Sequence, residues 1–139
     1  MIGIIVTGHG NFATGITTSV NLIAGKQSNY ESVDFLTHYS IVDLENELTK
    51  AFDNLNDCDG VIVMSDLGGG SPFKSSATLG RNYKDVRVIG GANLPMVLET
   101  LLARSLENDI DELAEIAVKA GKAQVVSFKV EKKKKKRAL

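Results

Sequence analysis

Short apolar runs rich in β-branched residues alternate along this chain with longer segments whose apolar residues recur every three or four positions. Runs of the first kind suit buried strands, and segments of the second kind suit one-faced helices. Repeated strand–helix–strand order predicts an α/β class: a doubly wound, mainly parallel open sheet with helices on both faces, in a single domain. Ile2 to Val6 reads as a buried strand, and Phe12, Ile16, Val20 and Ile23 follow at helical spacing until Gly25. A strand is expected near Ser32 to Leu36, then a helix with Ile41, Leu44, Leu48, Ala51, Phe52 and Leu55 on one side. Val61 to Met64 and Val86 to Ile89 are further strands. Between them Ser71 and Pro72 have the chemistry of an N-cap and first helical residue, with Phe73 and Ala77 facing inward and Gly80 near the end. Helices over about Pro95 to Arg104 and Ile110 to Lys119 come next, and Gln124 to Phe128 is expected to close the domain as a last strand.

A chain of 139 residues that is 43% hydrophobic can bury a core of its own, and neither an internal repeat nor a linker divides it. Residues 1–130 are read as the domain and 131–139 as a basic, disordered tail. Lys132 to Arg137 hold six of the 16 basic residues, while all 17 acidic residues precede them, so residues 1–131 carry a net charge of -7. An acidic body with a basic end is not a nucleic-acid reader, which would spread Lys and Arg over a folded face. Contact of the tail with anionic lipid is a minor alternative. No apolar stretch approaches the roughly 20 residues that span a bilayer, and a signal peptide's pattern is missing at the N-terminus, so a cytoplasmic protein with no membrane insertion is expected. The single cysteine, Cys58, excludes an internal disulfide, and with two histidines there is no ligand cluster at metal spacing. Cys58 reads as a small, half-buried apolar residue and His38 as an ordinary surface residue; no cofactor is expected.

Three loops, Gly8 to Asn11, Asp66 to Ser71 and Asn93 to Pro95, all follow carboxyl ends of expected strands, the edge at which open α/β sheets bind ligands. They hold most of the glycine-rich and polar surprises in the chain. His9 lies between Gly8 and Gly10 at a strand end and a helix mouth, where unpaired N–H groups and a partial positive charge stabilise an anion. A purely structural histidine does not require glycine on both sides. Gly68, Gly69 and Gly70 beside Ser71 offer backbone N–H groups to phosphoryl oxygens, and Ser71 offers a hydroxyl as well as a cap. Gly10 and Asn11 flank the histidine and are placed with the phosphate site. Thr7 and Asn11 are read mainly as turn and cap residues.

The runs Ile5-Val6-Thr7-Gly8-His9-Gly10, Asp66-Leu67-Gly68-Gly69-Gly70-Ser71-Pro72-Phe73 and Gly91-Ala92-Asn93-Leu94-Pro95-Met96, the last with Glu99-Thr100, resemble, in this order and spacing, the motifs of the IIA component of the mannose-class sugar phosphotransferase system. The resemblance spans nearly the whole chain. It implies that His9 accepts a phosphoryl group from the histidine phosphocarrier protein and passes it to a IIB component, which phosphorylates a sugar during uptake. It also implies that Asp66 is the acidic partner of His9 and that a homodimer forms by exchange of a terminal strand, a use for Gln124 to Phe128. Asn93, Leu94, Pro95 and Met96 are marked as a docking surface. The sugar is not legible, because a IIA component handles only the phosphoryl group.

These roles have a physical logic of their own. Neutral imidazole is a good nucleophile near neutral pH, and its phosphoramidate is labile enough to be handed on. A carboxylate such as Asp66 bonded to one ring nitrogen fixes the tautomer, aims the other nitrogen and stabilises positive charge on the ring during transfer. Rival readings remain open at this level. Gly8-x-Gly10-x-x-Ala13 after a strand fits a dinucleotide fingerprint, with Asp34 near the place of a ribose-binding carboxylate. It leaves His9 and the Gly68 to Gly70 loop unexplained. The phosphotransfer subunit of a dihydroxyacetone kinase, related to the same family, ranks second, and a non-catalytic regulatory module third. Neither a P-loop nor the Gly-x-Ser-x-Gly elbow of a hydrolase is matched.

Overall fold

A computed structural model of the protein describes residues 1–134. Its sheet comprises β1 (Ile2–His9), β2 (Tyr30–Phe35), β3 (Gly60–Ser65) and β4 (Val86–Ile89), every pairing parallel, in spatial order β2-β1-β3-β4. Between and after the strands come α1 (Phe12–Ala24), α2 (Ile41–Asn54), α3 (Ser71–Gly80), α4 (Leu94–Ala103) and α5 (Ile110–Ala123). The chain winds from β1 outward to β2, then crosses back to β3 and β4. The winding direction reverses between β1 and β3, and the crevice at such a switch point is where doubly wound sheets place their ligands.

Both faces of the sheet are covered, which is why β1 and β3 read as unbroken apolar runs. Ile2, Ile4 and Val6 of β1 with Ile62 and Met64 of β3 pack against α1, α4 and α5 through Ala13, Val20, Met96, Val97, Leu101, Leu113 and Ala117. The alternate residues Ile5, Val33, Val61 and Val63 meet Leu44, Leu48, Ala51 and Phe52 of α2 on the other face. Burying each aliphatic side chain of this kind contributes about 1.5–3 kcal/mol. Ser40 and Asp43 close the start of α2 with a reciprocal pair of hydrogen bonds, Asp43 N–H to Ser40 Oγ at 3.1 Å and Ser40 N–H to Asp43 Oδ2 at 2.9 Å. At the far edge Arg104, 3% exposed, donates to the carbonyls of Ile2 and Asn29 at 3.2 and 3.0 Å, tying the end of α4 to the base of the sheet. Burial lowers its pKa from the ordinary guanidinium range.

The structure corrects three expectations. In α3 the buried residues are Pro72, Ser75, Ser76 and Gly80, while Ala77 is exposed and Phe73 half-buried. The helix turns its small residues to the sheet so that it can approach closely: a Cβ on Gly80 would meet Val86 Cγ1 at 3.0 Å. In α1 Ala13 and Val20 are buried, whereas Ile23 is largely exposed. Gln124 to Phe128 forms no strand within this chain: Gln124 caps α5, and residues 125–134 have no regular secondary structure. A strand needs an edge to pair with, and this segment lies along neither β2 nor β4 of its own sheet. Residues 131–134 of the basic tail are exposed; the expectation for the rest of it falls outside the described residues. Among the described residues, no helix is long and apolar enough to cross a membrane.

Candidate functional site

His9 ends β1, and Asp66 follows the last residue of β3, so the two stand side by side at the switch point. Asp66 N–H donates to the Thr7 carbonyl at 3.1 Å, carrying the ladder one step past the strand. The Asp66 carboxylate then receives three hydrogen bonds. Its Oδ2 accepts from His9 N–H at 2.9 Å and lies 2.8 Å from His9 Nδ1, and its Oδ1 accepts from Leu67 N–H at 2.8 Å. Burial alone would raise the pKa of this group. The bonds from His9 and Leu67 outweigh it and hold the carboxyl below the ordinary carboxylate range. An ionised carboxylate only accepts, so the ring proton is assigned to Nδ1 and the lone pair to Nε2. The His9 side chain is 47% exposed and that of Asp66 14%, so the ring is open to solvent while the carboxylate bonded to it is sheltered.

Nε2 lies beside the start of α3. A Cβ on Gly70 would come within 3.1 Å of His9 Cε1 and 3.8 Å of Nε2, a close approach that a side chain would obstruct. Gly70, not Ser71, is the N-cap; Ser71 is the first helical residue and makes no capping bond with its side chain. The extended backbone of Gly70 takes the cap position one residue earlier than expected. The first-turn N–H groups of Ser71 and Phe73 therefore have no helical acceptor and face the crevice end, and Pro72 has none to leave unpaired. Of the three loop glycines only Gly69 has positive φ, 83°. The loop rests on Gly90, where a Cβ would fall 2.4 Å from Gly68 Cα. Sequence reasoning did not single out Gly90; the Gly90-Gly91 pair after β4 was the available signal.

The start of α1 is arranged differently. Asn11 occupies its N-cap but makes no capping bond, correcting the cap role read for it. Asp34 of β2 does that work from outside the helix, accepting from Thr14 N–H at 3.0 Å and Thr14 Oγ1–H at 2.6 Å. That carboxylate is thus engaged and not free for a ribose. Gly10, at φ 58°, donates its N–H to the Phe35 carbonyl at 2.7 Å. Thr7 is fully buried in β1, its Oγ1 without a protein partner among the described residues.

Around the third loop Asn93 caps α4, accepting from Met96 N–H at 3.1 Å and donating to the Gly121 carbonyl at 2.8 Å. Met96 is 4% exposed and belongs to the core, and Leu94, half-buried, packs against the same core, so of the four expected docking residues only the half-buried Pro95 neither caps a helix nor joins the core. His9, Asp66 and Gly70 are brought together; Asn93 and Met96 are not part of that cluster. Among the described residues no three His, Cys, Asp or Glu side chains are grouped to hold a metal.

Fold and site thus define a class: a doubly wound domain with a carboxylate-oriented histidine at its switch point, facing an open helix start. A family model described as PTS system fructose IIA component, EIIA-man, matches residues 3–118. The mannose-specific EIIAB component of Escherichia coli K12 is 30% identical over 128 residues, 92% of this chain, and the chain spans 40% of that relative's length. The sorbose-specific EIIA component of Klebsiella pneumoniae is 32% identical over 99 residues, 71% of this chain and 72% of that protein. The crystal structure of a phosphotransferase system EIIA from Streptococcus agalactiae superposes with a TM-score of 0.84 at 33% identity, covering 92% of this chain and 98% of that one. The chain belongs to the mannose-class IIA family of the sugar phosphotransferase system.

Proposed function

We propose that this protein is a phosphohistidine carrier, accepting a phosphoryl group on His9 Nε2 from the histidine phosphocarrier protein and passing it to a IIB component during sugar uptake. The observation that carries this reading is the double acceptance by Asp66 Oδ2 of His9 N–H and Nδ1–H, which leaves Nε2 free beside the start of α3. In the forward step the Nε2 lone pair attacks the phosphorus of the donor's phosphohistidine. A new N–P bond forms as the donor's N–P bond breaks, and the donor imidazole leaves with the electron pair. Asp66 stabilises the positive charge that the His9 ring acquires. Ser71 and the backbone N–H groups at the start of α3 receive the phosphoryl oxygens, with Gly68 and Gly69 allowing the approach. Both partners of such a carrier work in the cytoplasm, and so does this chain under the proposal.

The test is phosphoryl transfer from phosphoenolpyruvate through purified enzyme I and the histidine phosphocarrier protein, followed by intact mass. Wild type gains one acid-labile phosphate and His9→Ala gains none. Phosphate on neither, with donors shown to be active on another acceptor, overturns the proposal, as does equal labelling of both.

A further inference from the structure

The last two residues of β2 have three ties to the segment that carries His9, and no reading of the sequence gave them a part in transfer. Asp34 fixes the first turn of α1 through both Thr14 N–H and Thr14 Oγ1. Phe35 accepts Gly10 N–H through its carbonyl at 2.7 Å, pinning the residue after the histidine. The Phe35 ring lies 5.8 Å from the His9 ring, centroid to centroid, at 51° between planes. The arrangement is needed because Asn11 leaves its own helix uncapped and Gly10 bends at positive φ, so nothing local stiffens His9 to Asn11. Asp66 holds Nδ1 from one side, and the β2 end meets the ring and its backbone from the other.

We infer that Asp34 and Phe35 are positioning residues for phosphoryl transfer: the end of β2 clamps the His9 loop and α1 in the orientation that presents Nε2 to the start of α3. The inference rests on the carrier reading above. Asp34 has a second effect on selectivity, since its carboxylate occupies the start of α1 and leaves the start of α3 as the open anion site beside His9.

The experiment measures the rate of phosphorylation by the phosphorylated histidine carrier protein as its concentration is varied, for wild type, Asp34→Ala, Asp34→Asn, Thr14→Val and Phe35→Leu, with circular dichroism melts of each. Misplacement of a reacting group slows transfer more than docking, so Asp34→Ala and Phe35→Leu are expected to lose roughly tenfold or more in the limiting single-turnover rate, with the half-saturating donor concentration within about twofold. Asp34→Asn, which keeps an acceptor for Thr14 N–H, recovers most of the loss, and Asp34→Ala combined with Thr14→Val is no worse than either alone. A wild-type limiting rate in folded Asp34→Ala and Phe35→Leu, or a loss confined to the half-saturating donor concentration, overturns the clamp. Failure of wild type itself to take phosphate overturns the carrier reading instead, so the two failures are distinct.

Discussion

Asp66 tolerates no isostere, because both of its oxygens are already committed as acceptors. Oδ2 takes two N–H groups from His9 and Oδ1 takes one from Leu67. An asparagine has one oxygen to offer, so either His9 or Leu67 faces an N–H in place of an acceptor. Asp66→Asn is therefore expected to slow phosphoryl acceptance by roughly 10²- to 10⁴-fold, the upper end being the cost of the corresponding change in a Ser-His-Asp triad. Intact-mass time courses check this, and a rate equal to wild type would remove Asp66 from the mechanism. The same carboxylate sets a pH dependence of stability. A carboxyl whose pKa is depressed on folding stabilises the native state above its unfolded value, about 3.9, and that contribution disappears as pH falls through the folded value. Wild type is expected to lose thermal stability on acidification below about pH 4 more steeply than Asp66→Asn, which lacks this titration. Melts of the two proteins across that range test the sign; parallel curves contradict it.

Among the elements, the two helix starts near the crevice make opposite predictions. Ser71 makes no cap bond, so Ser71→Ala is expected to change stability by less than about 0.5 kcal/mol, and any slowing of transfer then reports on the phosphoryl group directly. Asn93 caps α4 and also ties it to Gly121, so Asn93→Ala is expected to cost about 1–2 kcal/mol while leaving the His9–Asp66 pair in place. Denaturant unfolding with parallel phosphorylation assays separates the two; a large stability loss in Ser71→Ala would restore it to the cap. The order and type of the first nine elements were legible in the sequence because their periods were long and clean, and β1 with its histidine stood out by its β-branched run and flanking glycines. What was not legible was rotation and reach. Phe73 and Ala77 share a helical stripe, yet close packing against Val86 turns the small residues Ser76 and Gly80 inward. Ser71 looked like a cap because Ser-Pro is a strong local signal, but Gly70 fits the extended cap conformation without a side chain. Asp34 is 20 residues from Thr14, and no local rule links a strand-end carboxylate to another element's first turn.

At the scale of the whole molecule the last question is what covers the segment after α5. Val125, Val126, Phe128 and Val130 are 76, 80, 86 and 80% exposed, more apolar surface than a short solvated end requires. Among the described residues β4 is an edge strand with one side unpaired, and edge strands accept an added strand through main-chain hydrogen bonds and alternate side chains. Under the strand-exchanged homodimer that the family resemblance implies, this segment pairs with β4 of a second copy, and the second copy returns the same contact. A closed two-fold exchange of this kind buries both segments at once. The chain is then a dimer by light scattering at micromolar concentration, and truncation after Gln124 yields a monomer. Phe128→Asp, which puts a charge on the buried side of the added strand, weakens the dimer without shortening the chain. Because His9, Asp66, Gly70, Asp34 and Phe35 all come from one chain, the truncated protein still accepts phosphate. A monomeric full chain, or a truncated chain that stays dimeric, rules the exchange out, and loss of phosphorylation in the truncated but folded monomer would show that the second copy completes the site.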